Sequence, residues 1–117
     1  MTRQSHTLPA LFVPHGAPTF ALKPGAAGDA MTRTAAALPR PRAIIVVSAH
    51  WETEVPTIGI AEDLETIHDF WGFPEPLYHI RYPARGSLAV AEEVRKALRD
   101  CGFEVRLDAG QIGRAHV

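Results

Sequence analysis

Two histidines occupy matching contexts in this chain. His15 closely follows the apolar run Leu8, Pro9, Ala10, Leu11, Phe12, Val13, and His50 closely follows Ala43, Ile44, Ile45, Val46, Val47. Each run reads as a strand, so each imidazole falls at a strand's C-terminal end. In open α/β sheets ligands bind outside those carboxyl ends, and two histidines delivered to one edge can meet there. Imidazole nitrogen ligates iron, zinc, copper and nickel, and two imidazoles with one further protein ligand leave metal positions open for a substrate and oxygen. The competing reading is that each histidine caps its strand by hydrogen bonding to nearby backbone. Spacing leaves both readings open, because the two histidines are separated by a whole βαβ unit and carry no short-range signature.

The elements that must position them follow from the residue pattern. The run at 8–13 breaks at Pro14, Gly16 and Pro18 into a tight loop. Asp29 can cap a helix through Met31, Ala35, Ala36, Ala37 and Leu38 that stops near Pro39. The run at 43–47 has no polar alternation, which suits a strand buried on both faces of a parallel sheet. A weaker strand is expected over 55–60. Prolines 74, 76 and 83 with Gly72 and Gly86 exclude a long helix from 66–86, leaving an ordered, aromatic-rich loop with short strand pieces. Ser87 is expected to cap a helix to Asp100, with Leu88, Ala91, Val94 and Leu98 on one face and Gly102 as its stop. Phe103, Val105 and Leu107 alternate with charged residues, as in a half-buried strand.

Composition narrows the partners. The chain has 117 residues, 46% hydrophobic and 21% charged, within the range of one globular unit. A net charge of −1 with scattered Lys and Arg gives no footprint for a nucleic-acid backbone. No apolar run approaches the roughly 20 residues that cross a bilayer, and the N-terminus lacks the apolar stretch of a signal peptide. Neither nucleic acid nor membrane is expected as a partner. Cys101 is the single cysteine, read as a buried packing residue in a protein of the reducing cytoplasm. Oligomeric state is not legible.

Three segments, PALFVPHGAP at 9–18, PRPRAIIVVSAHWET at 39–53 and TIHDFWGFPEPLYHIRYPARGS at 66–87, closely resemble successive segments of the 4,5-DOPA subgroup of class III extradiol ring-cleaving dioxygenases. The resemblance runs in the right order from Pro9 to about Asp108. It implies an α/β fold, a partial three-layer sandwich with a mostly parallel central sheet flanked by helices. It also implies that His15 and His50 are metal ligands for non-haem Fe(II) or Zn(II), and that the substrate is a catechol-type ring opened with O2. Ala17 stands where many relatives have Ser, and Arg85 where many have Pro; neither is a ligand position. In the family a proton-moving histidine lies just beyond the position of Asp108, and a further histidine ligand comes much later. Both are missing here, so residues 1–111 are read as the N-terminal part of a catalytic domain, expected to be inactive alone. A non-catalytic metal-binding or interaction protein on the same scaffold is the alternative.

His68 is the candidate for a substrate-binding residue, because an aromatic loop near a metal edge can enclose a planar ring; a hydrogen bond to the loop backbone is its other reading. Tyr78 and His79 follow it. Trp51 is read as packing, Glu52 as a solvated strand end and His6 as part of a frayed terminus. Residues 112–117 (IGRAHV) continue no pattern and match one translated frame of a common sequencing adapter. They are read as a non-native tail, with no role for His116.

Overall fold

A computed structural model of the chain describes residues 7–110 and the backbone of Ala115–His116. The expected 112–117 tail otherwise lies outside the described residues.

The clearest local instruction is in the helix α2, Leu88–Asp100. Ser87 is extended, and its Oγ accepts the Val90 amide at 3.3 Å, satisfying one of the helix's orphan donors. At the far end Gly102 takes φ +90, its amide donates to the Arg99 carbonyl at 2.9 Å, and the Phe103 amide donates to the Leu98 carbonyl at 3.1 Å. This paired closure is the Schellman arrangement that a glycine permits. Along the apolar face Ala91 is buried and Val94 and Leu98 are half-buried, while Leu88 remains exposed. Cys101 is exposed, contrary to the packing role expected of it: it is the C-cap, where the chain leaves the helix and the apolar stripe has ended.

Helix α1 spans Gly25–Ala37, beginning about a turn before the expected Asp29 cap. Its alanines favour the helix from the outset, so Asp29 lies inside it. The helix ends as Leu38 turns extended (φ −89, ψ 149), the conformation imposed on a residue that precedes proline. No residue of α1 is buried.

Strand pairing is parallel throughout the named strands. β1 (Thr57–Gly59) pairs with β3 (Arg106–Asp108) in the register Thr57 to Arg106, Ile58 to Leu107 and Gly59 to Asp108. Flanking bonds from Arg106 N to Pro56 O (3.0 Å) and from Ile60 N to Asp108 O (2.8 Å) lengthen the ladder at both ends. α2 lies on the crossover between these strands and packs against β1, as parallel strands require. β2 (Thr66–Ile67) pairs with β4 (Ala115–His116). The architecture is therefore α/β, with parallel strands flanked by helices, matching a partial sandwich.

Two expected strands are not formed. The runs at 8–13 and 43–47 pair with no described strand, and Phe12 is 102% and Val47 96% exposed. A helix closes its own hydrogen bonds, whereas a strand needs a neighbour's backbone, and neither run has a ladder partner among the described strands. The shape agrees. The accessible surface is 9744 Å² and the radius of gyration 16.6 Å. A compact monomer of this size has about 6,300 Å² and about 13 Å. Among the described residues only Leu77 and Ala91 are buried hydrophobics.

Candidate functional site

His15 is presented by a turn. Gly16 adopts φ +64, and the next residues form a 3-10 turn, Pro18–Ala21, with the Phe20 amide donating to the Ala17 carbonyl at 2.9 Å. Within this loop His15 Nδ1 lies 2.9 Å from the Gly16 carbonyl. A carbonyl only accepts, so Nδ1 is the donor here, and in the neutral ring Nε2 holds the lone pair. This is the tautomer a metal-binding imidazole uses when its other nitrogen is held by backbone.

His50 follows the run at 43–47 and is also exposed. Its amide donates to Ser48 Oγ at 3.1 Å, and the Trp51 amide reaches the Ser48 carbonyl at 3.4 Å. Ser48 thus shapes the turn that carries His50. Trp51 is half-buried and Glu52 exposed. Among the described residues no group of three or more His, Cys, Asp or Glu side chains is arranged to hold a metal ion.

The turn that follows His15 borders a cleft of about 460 Å³, lined by Gly16, Ala17, Thr19, Phe20, Leu22, Lys23 and Pro74. The Pro18–Ala21 turn forms one wall, and it packs against a second 3-10 turn, Glu75–His79, whose N-cap is Pro74. The chain segment carrying His15 therefore docks on the aromatic loop.

That loop is closed in tiers. At its base Asp63 and Arg85 form an antiparallel bridge, the Gly86 amide donates to the Glu62 carbonyl at 2.9 Å, and Arg85 pairs with Glu62. Above it the Tyr82 amide donates to Thr66 Oγ1 at 2.9 Å. Next, His68 Nε2 donates to the Ile80 carbonyl at 2.7 Å. At the tip Phe70 meets Phe73 edge-on at 5.4 Å between ring centroids and Tyr78 at 5.1 Å, and His68 lies 6.0 Å from Phe70. Leu77, in the same turn as Tyr78, is 0% exposed. Trp71 points away, 89% exposed. His79 is exposed and pairs with Glu75 at 3.1 Å. The side chains of His6 and His116 lie outside the described residues. The Thr66 clasp and the Lys23 cleft were not legible beforehand, since both depend on contacts between segments distant in sequence.

A profile of the family described as "Catalytic LigB subunit of aromatic ring-opening dioxygenase" matches residues 9–116. The chain is 44% identical over 112 residues to a protein of Escherichia coli (strain K12) named "4,5-DOPA dioxygenase extradiol", covering 96% of this chain and 41% of that one. A protein of the same name from Mirabilis jalapa is 44% identical over 69 residues, covering 59% of this chain and 26% of its own. Another of that name, from Beta vulgaris, is 38% identical over 96 residues, covering 80% and 36%. The chain spans about two-fifths or less of the length of these curated relatives.

Proposed function

The chain belongs to the family of the catalytic LigB subunit of aromatic ring-opening dioxygenase, and from that premise we propose that it is the metal-binding N-terminal part of an extradiol dioxygenase. In this reading residues 1–111 belong to the catalytic domain, and 112–117 are a non-native tail. The substrates are a catechol-type ring and O2, and the protein works in the cytoplasm.

His15 and His50 are the proposed ligands of Fe(II) or Zn(II). The observation that carries the reading is the His15 Nδ1–Gly16 bond, which leaves Nε2 as the lone-pair nitrogen. The same bond limits ring rotation. Ser48 does comparable work for His50 by fixing the backbone on which that imidazole stands. When bound, the metal supplies a common site for catechol and dioxygen and a route for electron density between them.

The aromatic loop is the proposed substrate wall. His68 has Nε2 committed to Ile80, so it would meet a planar substrate with the remainder of its ring, alongside Phe70 and Tyr78. The chain on its own should cleave little or no ring, since two imidazoles hold iron weakly and a proton-moving base is not among the assigned residues.

Titration with Co(II), read by its visible absorption, tests the ligand assignment. The wild-type chain should take up cobalt, and His15→Ala and His50→Ala should each weaken uptake by about tenfold or more. Uptake unchanged in both variants would remove the reading. Fe(II) reconstitution with a catechol under air tests the activity: substantial yellow ring-opened product from the purified chain would contradict the expected inactivity.

A further inference from the structure

We infer that the cleft bordered by the turn after His15 is a carboxylate-recognising subsite in which Lys23 reads a negative charge on a small aryl-bearing acid. Phe20, Leu22, Pro74 and Ala17 offer apolar surface, and Lys23 is the cation among the lining residues, none of which is acidic. A mostly apolar cleft with one or two convergent polar groups is the composition of a small-ligand site, and about 460 Å³ falls in the usual size range.

The polar groups are available. Among the described residues the ion pairs are made by other cations, namely Arg42, His79, Arg85, Arg95 and Lys96, and neither the Lys23 ammonium nor the Thr19 hydroxyl has a side-chain partner. Their backbone is nonetheless fixed. The Leu22 and Lys23 amides both donate to the Thr19 carbonyl, at 3.0 and 3.2 Å, so the hydroxyl and the base of the lysine stem sit on one closed turn. The opposite wall is equally determined: the Leu77 amide donates to the Pro74 carbonyl at 3.0 Å, holding the proline on the turn above buried Leu77. A ring seated between Phe20 and Pro74 can therefore place a carboxylate toward the ammonium, with the Thr19 hydroxyl as a second donor.

The importance of this subsite for catalysis rests on the proposed role of His15; charge recognition in the cleft does not. The subsite would select which rings reach the metal by the charge of a substituent remote from the ring oxygens.

Binding of 3-phenylpropionate and of its neutral counterpart 3-phenylpropanamide to the purified chain, followed by ligand-observed NMR at low ionic strength, tests the inference without metal. The acid should bind about three- to fivefold more tightly than the amide, as for a solvent-facing ion pair, and added salt should erase the difference. Lys23→Met should bring the two ligands to equal affinity, Lys23→Arg should keep the preference, and Phe20→Ala should weaken both. No metal is added in these measurements, which separates this result from the fate of the metal assignment. Failure of the acid to bind, equal binding of acid and amide, or a preference that survives Lys23→Met would overturn the inference. Circular dichroism of each variant, compared with the wild-type chain, excludes a loss of folding as the cause.

Discussion

His68 donates from Nε2 to the Ile80 carbonyl across 2.7 Å, and the Tyr82 amide donates to Thr66 Oγ1 across 2.9 Å. Side chains on one limb of the aromatic loop thus take the place of the backbone ladder that would otherwise join it to the other limb. Replacing His68 with Phe keeps an aromatic ring but orphans a half-buried carbonyl, a loss of about 1 kcal/mol. Thr66→Val similarly orphans the Tyr82 amide. Hydrogen exchange at Tyr82 should speed up about fivefold in Thr66→Val and measurably in His68→Phe. Unchanged exchange in both would mean that the clasp does not hold the loop.

Gly86 closes the base of the same loop where a side chain has no room. A Cβ there would stand 2.0 Å from the Ala61 carbonyl oxygen, a backbone atom that cannot step aside cheaply. Gly86→Ala should cost roughly 1–3 kcal/mol of local stability, seen as shifted amide resonances over 61–86. Gly72 has φ +77 but open space around it, so Gly72→Ala should carry only the backbone strain, about 1 kcal/mol. Equal effects of the two substitutions would contradict the steric argument.

The caps of α2 can be tested separately from the loop. Ser87→Ala removes the acceptor for Val90 and should cost about 1 kcal/mol. Gly102→Ala forces alanine toward φ +90, at a similar cost. Helicity measured by circular dichroism should fall in each and fall further in the double variant. No loss in the double variant would exclude capping as the source of α2's order.

Exposed Phe12 and Val47 predict association. Apolar backbone with unfilled strand hydrogen bonds is adhesive, so the sedimentation coefficient should rise with protein concentration. Phe12→Lys with Val47→Lys should suppress that rise. A monomer at all concentrations before any substitution would disprove the prediction.

What could be read from the residues depended on how local the determining forces are. Ser87 and Gly102 bound α2 through contacts within a few residues, and Pro39 ends α1 through its neighbour, so these limits were legible. The run at 43–47 was legible as apolar but not as an unpaired segment, because pairing is decided by backbone elsewhere. Cys101 was misassigned because cysteine's average preference for burial says nothing about a C-cap position. His15 and His50 were picked out by position, yet the tautomer of His15 emerged only from its bond to Gly16. For His68 the structure supplies the backbone hydrogen bond with Ile80, one of the two roles open to it.

The narrow neck where Glu62 receives the Gly86 amide has an engineering consequence. The two ends of the aromatic segment meet there while β1, α2 and β3 lie outside it, so its ends are held together independently of the crossover. A shorter or longer insert with the same neck could be grafted between Glu62 and Gly86 without altering the crossover.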